Sequence, residues 1–371
     1  MARWALLLAG ILLLAGCRPP GGAEAVRVLE DLAAEGGPSR LKARTEPPVR
    51  REITFTARGA EQPADLYVPA GPSRAGLVLV PGLAERGRRD PRLVALARTL
   101  ARVGFRVLVP DLPGLRAFEV RRANVTDVAA AYRALDRHTP DRLADHLGIA
   151  AFSYAAGPAV LAALEPGLRA RVGFVVAVGG YYDLAAVITF LTTGAYRTEG
   201  GWRHAEPHPY AKWAFVLSNA ELVPDARDRR FLEQLAREKL NRPSVDISAL
   251  AANLGEGGRT VYCLVTNGER ERVPALLADL PAPIRRQLTA LDLANKDLSR
   301  LRARLLLIHG PDDRLIPVTQ SRALAAAAPA ARVRLFEVEG LVHVDVEPGR
   351  LDRRALARAV GALLAQRAAA P

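Results

Sequence analysis

Ser153 sits where a short apolar run, Leu147 to Phe152, gives way to Tyr154-Ala155-Ala156-Gly157. The run predicts a buried strand, and the small residues after it predict the opening of a helix. A serine at so sharp a joint is held in strained backbone that presents its hydroxyl. The residues two places to either side, Ala151 and Ala155, must then be small. A blander reading also fits, with Ser153 as the N-cap of an Ala-rich helix. A hydrolytic serine needs a base within hydrogen-bond reach and an acid to orient that base. Of the six histidines, only His309 and His343 follow Ser153 at the ends of strand-like runs. Among the carboxylates, Asp312 and Asp313 follow the apolar run Leu305 to Ile308, and Asp183 follows the run Val172 to Val178. Two aspartates in a turn can equally well cap the next helix.

These residues need a scaffold that brings distant segments together. Arg51 to Ala57 and Ala64 to Val68 are rich in β-formers and predict an antiparallel pair. Leu77 to Val80 is continuously apolar, as a strand covered on both faces must be. A helix over Pro91 to Val103 follows, with Asp90 as its cap, then a strand at Phe105 to Val109 and a helix over Asn124 to His138. Strands at Leu147, Val172, Arg302 and Arg332 and helices at Val318 and Leu351 continue the alternation. The pattern predicts an α/β fold, a doubly wound and mostly parallel sheet of about eight strands. Residues 184–300 break the rhythm with helical patterns and the aromatics Phe190, Tyr196, Trp202, Tyr210, Trp213 and Phe215. A connection this long is read as a functional insertion, a helical lid whose aromatics mostly pack its own core. Val261 to Val265 reads as a strand without a place in the sheet. The expected division is 1–17 signal, 18–50 linker and extension, 51–183 and 301–371 core, and 184–300 lid.

The chain has 371 residues and a formal charge of +13. Its only lysines are Lys42, Lys212, Lys239 and Lys296, and the other basic residues are arginines scattered among acids. No aromatic-interleaved basic stripe is present, so nucleic acid is not an expected partner. Cys17 and Cys263 are too few for a Cys-rich zinc site, and no phosphate-cradling glycine loop is seen, so no metal or cofactor is implied. Arg3, the apolar run Trp4 to Leu14 and Leu14-Ala15-Gly16-Cys17 resemble a bacterial lipoprotein signal with its lipobox. That resemblance implies acylation of Cys17 and attachment to a membrane of the cell envelope. Arg18 follows, with no retention aspartate, which points to the outer membrane.

The segment around Ser153 resembles the nucleophile elbow of the α/β-hydrolase family, with A-F-S-Y-A for the usual G-x-S-x-G. His309-Gly310-Pro311-Asp312-Asp313-Arg314-Leu315-Ile316-Pro317 is similar to the family's H-G-x-x-D-x-x-[IV]-P loop. The resemblance covers about Arg51 to Arg367 outside the lid. It implies Ser153 as nucleophile, His343 as base and Asp313 as acid, with Asp183 as the alternative acid that some relatives use. Pro81-Gly82-Leu83 resembles the family's oxyanion loop, implying backbone N–H donors from Leu83 and Tyr154. The implied activity is a membrane-anchored serine hydrolase acting on small-molecule or lipid acyl esters through an acyl-enzyme. Two alternatives stay open: an amidase or peptidase with the same triad, and a non-catalytic envelope lipoprotein that uses the fold for binding.

Overall fold

The computed structural model describes residues 22–369. The signal reading of residues 1–17, and the acylation of Cys17 with it, lies outside the described residues. Among those described, no helix is long and apolar enough to cross a membrane.

Two hairpin strands, β1 (Val49–Ala57) and β2 (Ala60–Val68), pair antiparallel, with Val49 opposite Val68. β3 (Ala75–Val80), β4 (Phe105–Pro110), β5 (Leu147–Phe152) and β6 (Phe174–Val178) follow. A small hairpin, β7 (Ala195–Thr198) with β8 (Gly201–His204), lies in the insertion. β9 (Arg304–His309) and β10 (Val333–Glu337) complete the main sheet. Its eight strands run in the order β1-β2-β4-β3-β5-β6-β9-β10. β2 meets β4 antiparallel, and every neighbour pair from β4 through β10 is parallel.

The continuous apolar runs are explained by burial on both faces. Val78, Val80, Ile149, Ala151, Val175, Ala177, Leu305 and Leu307 point to one side. There they meet the helices Ala123–Arg137, Ala156–Leu164 and Thr319–Ala327. Leu77, Leu79, Val107, Ala150, Val176 and Leu306 point to the other, against the helices Gly22–Ala33, Pro91–Arg102 and Arg353–Leu364. Neighbours in sequence thus alternate between two cores, the period-2 consequence of a pleated strand. Asp90 caps its helix as expected, accepting from the Arg92 N–H at 2.9 Å.

The insertion between β6 and β9 carries a third core, built on Trp213, Leu235, Val261, Leu264 and Ile284. It is helical apart from the β7–β8 hairpin. Val261 to Val265 is not a strand. It lies inside the helix Glu256–Thr266, whose buried Gly258, Val261, Leu264 and Val265 follow the helical period. The buried carboxylate of Asp228 accepts from the N–H groups of Gly255 and Gly258 at 2.6 and 2.7 Å, satisfying that helix's start. Of the aromatics, Trp213 and Phe190 are buried, whereas Trp202 and Tyr210 are exposed.

The two ends of the insertion are fastened to each other. The Tyr181 hydroxyl donates to the Leu291 carbonyl at 3.0 Å, and the Leu184 N–H to the Asp292 carboxylate at 3.0 Å. The N–H groups of Leu293 and Ala294 both donate to the Tyr182 carbonyl at 3.1 Å.

Candidate active site

The carboxyl ends of β3, β5, β9 and β10 lie along one edge, and each feeds a loop that carries one part of the site. β5 ends at Phe152 in extended backbone, and Ser153 turns at once into the left-handed region at φ +53°. A short 3₁₀ turn, Ser153–Ala155, then leads into the helix Ala156–Leu164. The N-cap position of that helix is Ala155, and no side chain caps it, so the capping role weighed for Ser153 does not occur. The serine hydroxyl instead faces an imidazole.

That imidazole comes from beyond β10. Two short strands, β11 (Leu341–Val342) and β12 (Asp345–Val346), form a hairpin with His343 and Val344 at its tip. His343 also has positive φ, at +58°. Only five non-glycine residues among those described have positive φ, and two of them are Ser153 and His343. Each such residue costs about 1–3 kcal/mol. The strain falls on the two side chains that meet: Ser153 Oγ lies 2.7 Å from His343 Nε2.

His343 Nδ1 lies 2.8 Å from Asp313 Oδ2, so the ring donates there and accepts from the serine at its other nitrogen. Asp313 sits in the loop after β9 with four donors around its carboxylate. Its Oδ1 accepts from the N–H groups of Leu315 and Ile316 at 2.8 and 3.0 Å. Its Oδ2 receives His343, and His309 Nε2 lies 3.2 Å away. Burial works against ionisation here, but the hydrogen bonds from His309 and His343 outweigh it. The Asp313 carboxyl is therefore held well below the usual carboxylate range.

His309 is a positioning residue that its sequence place did not reveal. It is fully buried, and its Nε2–H donates to the Ile316 carbonyl at 2.8 Å while Nδ1 lies 2.7 Å from the Ser321 hydroxyl. It therefore holds both ends of the turn that presents Asp313. The signals available in the sequence were a histidine ending an apolar strand and its place at the head of the H-G-x-x-D loop motif, neither of which names its partners.

The other two acids are engaged elsewhere. Asp312 is exposed and pairs with Arg350 at 2.8 Å. Asp183 caps the helix Leu184–Thr193 by accepting from the Ala186 N–H at 2.9 Å.

The loop after β3 passes close to the elbow. A Cβ built on Gly82 would lie 3.2 Å from the Phe152 carbonyl oxygen and 3.3 Å from Ser153 Cβ. Leu83 follows directly, half-buried against the core. Tyr154 stands near the start of a helical turn, where backbone N–H groups lack helical acceptors. Its ring is fixed from two sides: the hydroxyl donates to Asn124 Oδ1 at 2.8 Å, and Tyr181 stacks on it at 6.2 Å. Asn124 is itself tied by the Arg121 N–H at 2.9 Å. An exposed loop of the insertion also reaches the site's surroundings, where the His208 N–H donates to the Arg314 carbonyl at 2.8 Å, one residue from Asp313.

No protein-family model matches the chain, and no curated protein matches it. Solved structures resemble it in fold. A puromycin-hydrolysing peptidase of Mycobacterium tuberculosis aligns at 17% identity with a TM-score of 0.50, over 86% of this chain and 38% of that one. The dienelactone hydrolase of Anabaena variabilis aligns at 15% identity with a TM-score of 0.46, over 87% of this chain and all of that one. A 2,6-dihydroxy-pseudo-oxynicotine hydrolase aligns at 15% identity with a TM-score of 0.47, over 87% and 71%. Likeness at these identities concerns architecture alone. With its eight-stranded, mostly parallel sheet and helices on both faces, the chain has the α/β-hydrolase fold.

Proposed function

We propose that the protein is a serine hydrolase that cleaves acyl esters through an acyl-enzyme intermediate. The observation that carries this reading is the series Ser153 Oγ, His343 Nε2, His343 Nδ1, Asp313 Oδ2, joined by contacts of 2.7 and 2.8 Å. In the first step Ser153 Oγ attacks the acyl carbon and its proton passes to His343 Nε2. Asp313 stabilises the imidazolium through Nδ1–H without taking the proton. The carbonyl oxygen becomes an oxyanion, for which the backbone N–H groups of Leu83 and Tyr154 are the proposed donors. His343 then gives its proton to the leaving alkoxide. In the second step a water loses a proton to His343 and attacks the acyl carbon; the bond to Ser153 Oγ then breaks, His343 returns the proton to that oxygen, and the acid leaves with serine and imidazole restored.

The positive φ at Ser153, at a joint between strand and helix, supports a reactive role over an incidental contact, and the two-residue hairpin turn that gives His343 its positive φ aims the ring at that serine. Attachment to a bacterial envelope membrane through acylated Cys17 belongs to the same proposal and rests on the Leu14-Ala15-Gly16-Cys17 motif.

A fluorophosphonate probe tests the nucleophile. Wild type should be labelled on Ser153, and Ser153→Ala should fold but take no label. Labelling that persists in the variant would overturn the assignment. Parallel assays on p-nitrophenyl esters and matched anilides separate ester from amide cleavage. Mass spectrometry of membrane-extracted protein tests Cys17, since an unmodified thiol there removes the anchor.

A further inference from the structure

Away from the triad, on the insertion, a cavity of about 460 Å³ is lined by Lys212, Trp213, Lys239, Asp246, Tyr262 and Thr266, among others. Two of the chain's four lysines converge there. They come from different helices, Tyr210–Asn219 and Ala226–Asn241, which pack against one another. Each ammonium nitrogen lies 5.9 Å from the centroid of the Trp213 ring. That ring is buried in the insertion's core, so it is a fixed element beside which both ammonium groups lie within cation–π range.

Neither ammonium group forms a direct ion pair among the described residues. Lys239 donates to the Pro243 carbonyl at 3.0 Å. Lys212 makes no hydrogen bond or ion pair among the described residues, and burial and then repulsion from Lys239 hold its ammonium below the usual lysine range. One carboxylate, Asp246, shares the lining; it accepts from the N–H and hydroxyl of Ser248, keeps its negative charge and is also held low by Lys239, so it offsets part of the positive charge there. The space is large enough for a small organic molecule, and its walls add the Tyr262 and Thr266 side chains.

We propose that this cavity is a binding site for a compact dianion, a phosphomonoester group held between Lys212 and Lys239. Two convergent ammonium groups match a doubly charged phosphate better than a single carboxylate. The site does not depend on the hydrolase reading, because nothing in it touches Ser153, His343 or Asp313. The group could belong to a soluble phosphate ester or to the exposed headgroup of phosphatidic acid.

Calorimetric titration of the full chain with inorganic phosphate, at constant ionic strength, tests the idea without any hydrolysis assay. One saturable site is expected. Lys212→Met and Lys239→Met should each weaken it about tenfold. Asp246→Asn should tighten it, and the Lys212→Arg, Lys239→Arg double variant should retain it. Sedimentation with phosphatidylcholine vesicles, with and without phosphatidic acid, identifies the source. Binding to the acidic vesicles that is lost in the methionine variants assigns a lipid headgroup, and free phosphate binding alone assigns a soluble ester. Absence of saturable phosphate binding in wild type would overturn the proposal. So would binding that survives in a folded Lys212→Met, Lys239→Met double variant.

Discussion

Gly310 passes so close to Leu341 that a Cβ built on the glycine would overlap the Leu341 carbonyl. The first residue after β9 therefore touches the loop after β10. The obstacle is backbone, which cannot swing aside as a side-chain tip can. Gly310→Ala must push the two loops apart, and these loops present Asp313 and His343. We expect a loss of about 1–3 kcal/mol of stability, as for overpacking of a dense interior. Esterase activity should fall further than stability does, because the imidazole and carboxylate separate. A thermal melt and a kcat measurement on the same preparation check this, and an active variant with unchanged kcat would contradict it.

Asp313→Asn should lower kcat by about 10⁴-fold, since a neutral amide neither selects the Nδ1–H tautomer nor stabilises the imidazolium. It should also alter the acid limb of stability. The carboxyl is held below its ordinary value of 3.8 in the folded protein, so its contribution is present above that pH and is lost as pH falls toward the folded value. Wild type should exceed the variant in stability at pH 7, and the gap should narrow by pH 3. Melting curves at the two pH values decide the matter, and a constant gap would count against it.

His309→Gln tests the residue that holds the acid's turn. Removing the imidazole that lies 3.2 Å from Asp313 Oδ2 and helps keep that carboxyl low should raise it, so the acid loss of stability should begin at higher pH than in wild type. The Ser321 hydroxyl and Ile316 carbonyl would lose their partner in a buried site, costing about 1–3 kcal/mol. A merely structural role would lower stability at every pH equally, so the displaced acid midpoint is the discriminating readout.

Asp228→Ala should leave the start of the Glu256–Thr266 helix without its acceptor, at a cost of about 1–3 kcal/mol. Hydrogen exchange should speed up chiefly at Gly255 and Gly258 and through that helix, with the main sheet unaffected. Faster exchange spread evenly over the protein would show that the capping role had been overstated.

The main sheet was legible because its strands are buried on both faces. Runs such as Leu77 to Val80 and Leu305 to Ile308 admit little else when helical patterns separate them. Ser153 could be singled out because it follows such a run directly, and Asp313, farther along the loop after one, only through the resemblance of that loop to H-G-x-x-D-x-x-[IV]-P. His343 was harder, since it lies at the tip of a short hairpin beyond β10 that pairs only with itself and not with the main sheet. The insertion was least legible. Val261 and Val265 favour strands by composition, yet their helix is started by Asp228, a carboxylate far back in the chain. No local propensity records a long-range cap. His309 was opaque for a related reason, because its partners Ser321 and Ile316 meet it only once the next helix has docked.

The fastening between Tyr181–Leu184 and Leu291–Ala294 bears on how the chain assembles. β6 and β9 are parallel neighbours, yet the whole stretch from Val178 to Arg304 separates them. Closing a loop of that length costs entropy before any pairing rewards it. With the segment that has Trp213 and Leu235 at its heart folded and its feet joined at Tyr182 and Ala294, residues 179–181 and 295–303 are all that remain between the two strands. The appendage is in this sense a clasp: its joined feet shorten the loop that must close for β9 to pair with β6, and the placing of Asp313 follows directly from that pairing.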